Sequence, residues 1–436
     1  MQSPSSEGPV REKSWQWDAD GGGACEDVIA GGAERGRPSR RGLLIGAGVL
    51  AAGGAAWALG RSGDSGALPR PAPTGPPPTA LSGPTPLWTY RGPETMTPER
   101  LTAMPGRPVH LSRSGLQLLD PATGAPGRLL VFDPPPARGG PSDPAPLDKV
   151  VIGPDHLFAA VHEGHLEARH LTDPAADWSL PLPDELQGQV SLAGYDRGVL
   201  YGSSWGRPRA DRPLSDHHLF ALRVADRSLL WTVRTEQDER PVTPTTNVGS
   251  PVLVCVRVFG GGTELVARDA ATGRELWTAP GEEELRWCVP GANSIYVPDG
   301  NGGVRMLRPT GETGWTHSPA RGESWRALPP VEDGPRVLVL RDQGTVTGHD
   351  AWSGGQVWSC RLPDPLDRRS RPVVADGTLY VPGPAAGGVS AIHTTAGQPG
   401  PTFRDSGPGK DVWTVAADRD RLYLGHDDVL HALPLR

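Results

Sequence analysis

Lysine is nearly missing from this chain: Lys13, Lys149 and Lys410 stand against forty arginines. That bias suits a GC-rich bacterial genome and carries no chemistry. Cysteine is scarce as well, and four in 436 residues are too few for a disulfide scaffold. Cys25 falls in a polar lead, which leaves Cys255, Cys288 and Cys360 as an odd set downstream. A basic excess is also lacking: the formal net charge of −7 argues against a nucleic-acid binder. Kinase signatures are absent, with no Gly-x-Gly-x-x-Gly, Val-Ala-Ile-Lys, His-Arg-Asp or Asp-Phe-Gly. This chain is not a kinase.

What the chain does contain is a repeat. Its clearest copy reads Thr263-Glu-Leu-Val-Ala-Arg-Asp269, then Ala-Ala-Thr272-Gly273, then Arg-Glu-Leu276-Trp277. Trp277 follows Asp269 by eight residues, and the same offset links His170 to Trp178, Arg223 to Trp231, Leu307 to Trp315 and Asp350 to Trp358. Copies at Asp120 (with Thr123-Gly124) and His393 (with Ala396-Gly397) lack the tryptophan, and a truncated one ends Val429-Leu-His-Ala-Leu433. The marks lie 38 to 53 residues apart. A strand-like period in the forties predicts a propeller, each repeat being one four-stranded blade.

The chemistry of one repeat agrees. Leu265 and Ala267 alternate with Glu264, Val266 and Arg268, the period-2 pattern of a half-buried strand. Asp269 can bond the following turn, and Gly273 supplies the positive φ that closes it. Leu276-Trp277 opens the returning strand with a large apolar ring that needs a partner for its N–H. The tryptophans are therefore expected to be structural. Stacking blades radially buries both faces of each sheet and leaves only short edges.

The chain ends complement each other. Leu87-Trp88-Thr89-Tyr90 reads like the outer strands Leu230-Trp231-Thr232-Val233 and Leu276-Trp277-Thr278-Ala279, yet no inner strands precede it. Val429–Leu433 reads as a third strand with no fourth after it. The economical reading is an all-β, eight-bladed propeller over residues 87–436, closed by the N-terminal strand.

The motif Ala-x-Asp-x-x-Thr-Gly-x-x-x-Trp resembles the PQQ-like, quinoprotein-type propeller repeat. It stands as Ala267 to Trp277 and more loosely as Gly348-His-Asp350-Ala-Trp-Ser353-Gly354-Gly-Gln-Val-Trp358. Two branches of that superfamily bear on function. One holds quinone-dependent dehydrogenases; the other holds non-catalytic scaffolds, including BamB-like lipoproteins and the extracellular halves of some bacterial Ser/Thr receptor kinases. The dehydrogenases clamp their cofactor beneath adjacent cysteines and hold Ca²⁺ beside a catalytic Asp. No two cysteines are adjacent here, so the resemblance implies the non-catalytic branch. No lipobox Cys follows the apolar run, which departs from the BamB pattern.

Ser39-Arg40-Arg41-Gly42-Leu43-Leu44-Ile45 looks like a twin-arginine export signal, followed by an uncharged run to Leu59. Ala56-Trp57-Ala58 offers a cleavage site, and the competing reading is an uncleaved anchor through residues 42–59. Arg35, Arg37, Arg40 and Arg41 precede the run, so either fate leaves the propeller outside the cytoplasm. Residues 1–38 read as a disordered lead, 39–60 as the signal or anchor, and 61–86, with eight prolines, as a semi-rigid linker.

His162-Glu163-Gly164-His165 with His170 suggests a metal, but i and i+3 point to opposite strand faces. His217-His218 reads as a strand start. Arg207, Arg209 and Arg212 in the insert Ser203–Asp216, and Arg368, Arg369 and Arg371 in the loop Pro363–Pro372, would either line a rim for an anionic ligand or simply be solvated. Trp205, Trp325 and Trp352 lie outside the repeat's slot and mark a candidate contact surface. If one disulfide forms, Cys255–Cys288 is the expected pair. No catalytic, cofactor-binding or metal-ligating residue is assigned. The expected function is an exported or anchored binding, sensing or scaffold module for a protein or cell-wall ligand. The alternative is an exported quinone-dependent oxidoreductase or hydrolase working at the central mouth.

Overall fold

The structure is a computed structural model. It describes residues 85–435 apart from 93–100, 105–106, 113–114, 132–149, 162–163, 207–215, 236–237, 246–250, 260–261, 282–286 and 406–408. The lead, the twin-arginine segment and the proline-rich linker thus lie outside the described residues. No helix among those described is long and apolar enough to cross a membrane.

Eight four-stranded antiparallel sheets follow one another along the chain. They span residues 101–130, 151–181, 188–235, 238–280, 289–317, 331–361, 373–403 and 414–434, numbered here sheets 1 to 8. The first strands of most consecutive sheets lie against one another, as Gly188–Asp196 does against Asp238–Thr245. First strands are therefore the inner ones, and fourth strands face outward. Thr414–Ala417, the first strand of sheet 8, also lies against Leu101–Met104, the first strand of sheet 1.

Sheet 8 takes its fourth strand from the other end of the chain. Trp88–Arg91 pairs antiparallel with Val429–Pro434, Trp88 opposite Ala432 and Arg91 opposite Val429. Leu87 N–H adds a bond to Ala432 O at 2.7 Å, and Trp88 shares a buried cluster with Leu430 and Tyr423. The pairing expected of residues 87–90 with 429–433 is present.

Sheet 4 shows how one repeat is built. Asp269 Oδ1 accepts from Ala271 N, Thr272 N and Thr272 Oγ1, which shapes the turn after Gly262–Asp269. Gly273 then turns the chain at φ 73°, a region costly for a side chain bearing Cβ. The expected half-buried alternation needs correction. Leu265, Val266, Ala267 and Arg268 are all buried, because the two faces meet different neighbours. Leu265 and Ala267 pack with Ile295 and Val297 of sheet 5, while Val266 packs with Tyr201 and Leu219 of sheet 3.

The same two-sidedness overturns the expected disulfide. None of Cys255, Cys288 and Cys360 forms a disulfide among the described residues. Cys255 faces sheet 3 in the cluster with Tyr201 and Val266, whereas Cys288 packs on the cluster formed with sheet 5. Burial pushes the Cys288 thiol up to about 12 and the Cys255 thiol well above its ordinary range, so both are inert.

Candidate functional site

The recurring tryptophans reach out of their own sheets. Trp231 Nε1 donates to Ala270 O (2.9 Å), Trp277 to Pro309 O (2.6 Å), Trp315 to Ala351 O (3.0 Å) and Trp358 to Thr394 O (2.8 Å), each in the turn of the next sheet. Trp88 does the same across the chain ends, donating to Pro121 O of sheet 1 at 2.8 Å. Each ring lies against the glycine of the turn it reaches: a Cβ on Gly354 would sit 2.5 Å from Trp315 Cγ. These rings lock sheets together and are not a ligand surface.

Three seams depart from that rule. Arg128 holds the tryptophan slot of sheet 1, where it donates to His170 O and to Asp177 Oδ2 (2.5 Å) in sheet 2. Between sheets 2 and 3 the glycine is replaced, and Arg227 takes φ 59° while its guanidinium lies 5.3 Å from the Trp178 ring. At the slot of sheet 7 stands Pro401. There Trp413 stacks on His426 with centroids 4.1 Å apart, His426 Nδ1 lies 2.7 Å from Asp405, and His431 Nδ1 lies 3.1 Å from Thr89 Oγ1.

Other charged groups are also spent between strands. Glu239, 1 % exposed, accepts from Arg268 Nε (2.5 Å) and Nη2 (2.8 Å) and from Arg257, which also reaches Glu264 and Glu275. This chain of charges ties all four strands of sheet 4. Between sheets 5 and 6, His317 and His349 sit with ring centroids 4.4 Å apart. His349 Nδ1 donates to Gly354 O (3.0 Å) and its Nε2 accepts from Thr347 Oγ1 (2.9 Å). Arg341 Nη2 donates to His317 Nε2 at 3.0 Å. Burial, then the neighbouring His349 and Arg341, push His317 down to about 4, and burial lowers His349 as well. Both rings are neutral near pH 7.

An open groove of about 560 Å³ lies on the inner strands of sheets 5 and 6, with residues 371–372 beside it at the entry to sheet 7. Pro290, Pro329, Pro330 and Pro372 wall it, and Glu332 and Arg371 are its charged residues. Glu332 is held from within the protein by Ala292 N (3.1 Å), Ser294 Oγ (3.3 Å) and Tyr296 OH (3.0 Å). Arg371 Nη1 meets only the carbonyls of Arg368 (3.2 Å) and Ser370 (3.3 Å). The groove can therefore grip a ligand by apolar contact and a single guanidinium.

The remaining sequence candidates scatter. His165 and His170 stand at opposite ends of the strand His165–His170, and His170 Nδ1 accepts from Thr172 N and Asp173 N; His162 lies outside the described residues. No cluster of three metal-ligating side chains occurs among the described residues. His217 and His218 open the strand His217–Arg223 as read. The insert begins later than expected, because the strand Val199–Gly206 runs through Ser203; Arg207, Arg209 and Arg212 lie outside the described residues. Arg369 is neutralised by Asp367 (3.1 Å) and Asp411 (2.8 Å), whereas Arg368 and Arg371 are exposed.

The off-slot tryptophans also divide. Trp325 is 3 % exposed and belongs to the core, bonded to Glu323 at 2.9 Å and covered by Arg341, which corrects its reading as a contact residue. Trp205 is half-buried against His217, with the Arg240 guanidinium 4.9 Å from its ring. Trp352 is 76 % exposed, and only Arg308 lies over it, at 5.5 Å. Sequence reasoning missed the groove itself. Its prolines are spread over residues 290–372 and no local motif joins them.

The fold is that of an eight-sheet β-propeller, and comparison with known proteins agrees. Residues 300–428, from within sheet 5 to within sheet 8, match the family model described as outer membrane protein assembly factor BamB. That stretch carries the PQQ-like propeller repeat, as the Thr-Gly-to-Trp spacing implies. BamB from Moraxella catarrhalis is similar at 13 % identity and a TM-score of 0.50, over 82 % of this chain and 100 % of that one. The computationally designed Ika8 protein is similar at 12 % identity and a TM-score of 0.55, over 80 % of this chain and 99 % of that one. Sqt1 from Saccharomyces cerevisiae is similar at 12 % identity and a TM-score of 0.51, again over 80 % and 99 %. At such identities the likeness concerns fold. No curated protein sequence matches the chain.

Proposed function

We propose that this chain is an exported or membrane-anchored closed propeller that acts as a non-catalytic binding or scaffold module at the bacterial cell surface. One observation carries the reading. The concentrated charge of the molecule, from Glu239–Arg268 to His317–His349 and Asp405–His426, is buried between strands and sheets. The accessible groove offers proline walls, an internally saturated Glu332 and one arginine. Such a surface binds and does not move protons. The description of the matched model, an assembly factor, supports protein as the partner and a location beyond the cytoplasm.

The catalytic alternative has a direct test. Purified protein with PQQ, Ca²⁺ and an electron-accepting dye should reduce no dye with alcohols or sugars. Reduction above the protein-free rate would sink the reading. Export has its own test in Arg40→Lys with Arg41→Lys. The pair keeps both charges but should stop export, because an ammonium cannot copy guanidinium geometry. Undiminished export of the double variant would make the segment an ordinary anchor.

A further inference from the structure

The 3–4 turn of sheet 6 carries a residue that the repeat does not ask for. The positions equivalent to Trp352 are filled by Ala122, Ala225, Ala271, Pro309 and Thr395. These turns form without a large side chain at this position. Asp350 Oδ1 accepts from Ser353 N and Ser353 Oγ, both at 2.8 Å, and the Trp352 ring takes no part in these bonds. A 76 %-exposed tryptophan forgoes the burial that a ring of its size would gain.

This turn adjoins the groove. Ala351 N donates to Pro335 O at 2.9 Å, and Pro335 follows Gly334, which lines the groove. Groove and exposed indole therefore belong to one strip across sheet 6 and its neighbours. The charge on the strip is mainly positive, with Glu332 as the one carboxylate in the groove lining. Arg308 over Trp352 and Arg371 at the groove are exposed and form no ion pair with a carboxylate among the described residues. Arg369 is paired with Asp367 and Asp411, and Glu332 is turned to neutral donors of its own protein, Ala292 N, Ser294 Oγ and Tyr296 OH. Since the whole chain is net −7, an anionic partner would be drawn by this local contact and not by the overall field.

We infer that this strip, running from the proline groove to Trp352, binds an extended peptide segment bearing acidic side chains. The inference rests on the binding-module reading and names the partner class for it. Rigid proline walls are ordered before binding, which lowers the entropic cost of gripping a chain. A tryptophan anchor flanked by arginines is the composition of a binding hot spot. An open groove continued by a surface ring suits an elongated segment better than a small enclosed molecule.

The probe is a fluorescein-labelled decapeptide alternating Glu and Val, with a Lys–Val decapeptide as control, read by fluorescence anisotropy on the full chain. The Glu–Val peptide should bind and the Lys–Val peptide should not. Arg371→Glu and Arg308→Glu should each weaken binding at least tenfold, Trp352→Ala should weaken it similarly, and Arg371→Lys should retain most of it. All three positions are exposed, so circular dichroism and melting should match the parent. Equal binding of both peptides, or no binding of either, overturns the proposal. So does Glu–Val binding that survives both charge reversals, which would place the acidic site elsewhere and leave the binding-module reading standing. Dye reduction with PQQ is what would remove that reading itself.

Discussion

The seams joining sheets 3 to 7 and those joining sheets 1 to 3 occupy the same positions in the repeat with different chemistry. In the first group, Trp231, Trp277, Trp315 and Trp358 each bond a backbone carbonyl of the next sheet and cover its turn glycine. In the second, Arg128 replaces the tryptophan and Arg227 replaces the glycine. The first solution depends on apolar area and close packing, both indifferent to salt. The second depends on an ion pair and a cation–π contact, which are worth less in water and are screened. A propeller can keep its repeat length while varying the lock at each seam.

The comparison breaks most completely if sheet 8 loses a strand altogether. Deleting residues 87–91 removes the outer strand of sheet 8 and the Trp88 contact with sheet 1, and it exposes an unpaired edge. The truncated chain should aggregate on purification and lose cooperative unfolding; a melt like the parent's would mean that this pairing does not hold the ring. Next in size, Trp315→Ala should destabilise by about 3–5 kcal/mol in urea titration, as other large-to-small core changes do. A loss under about 1 kcal/mol would deny the tryptophan seams their role.

Acid should separate the two groups. His317 sits near 4 in the folded chain against its ordinary value of about 6.5, so the unfolded chain binds the proton more readily. The stability from the seam between sheets 5 and 6 is therefore full above about pH 6.5 and fades as pH falls toward 4. Asp177 responds in another window. Burial raises it, but the bonds from Arg128 and His170 N–H together with the Arg128 and Arg169 charges leave its carboxyl below the usual range. Its contribution is present above the unfolded carboxylate value near 3.9 and is lost only as pH drops further. Melting temperature against pH should show the first decline in the parent and a flatter profile in His317→Asn.

Smaller still, Arg128→Met should cost about 1 kcal/mol at low salt and less at 1 M NaCl, since Arg128 and Asp177 are partly exposed. A salt-independent loss would mean that packing, and not charge, holds this seam. Arg227→Gly should change least. It removes left-handed strain of about 1–2 kcal/mol and a cation–π contact of about 0.5–1 kcal/mol, which nearly cancel. A loss above about 2 kcal/mol would show Arg227 to be a true lock.

The sequence carried the propeller because its repeat is local. The nine residues from Asp269 to Trp277 hold a turn aspartate, a glycine and a ring, and each can be read from neighbours in the chain. His217-His218 was legible as a strand start for the same reason. Arg128 was legible only as a missing tryptophan, since nothing near it in sequence announces Asp177 on the next sheet. Trp325 read as a surface candidate because its cover, Arg341 and His317, comes from two other strands. Trp352 read correctly as a residue outside the slot, and its neighbours are small.

By itself, then, the sequence determined the number of sheets, the order of turns and the kinship of the two chain ends, all matters of periodicity within about forty residues. Only the tertiary structure decided which groups meet. It put Cys255 and Cys288 on opposite faces of sheet 4, buried the alternating strand on both sides and drew prolines from 290 to 372 into one groove. The physical reason is the sheet itself. Neighbouring residues on a strand point to opposite faces, and in a propeller each face belongs to a different neighbour, tens of residues away in the chain.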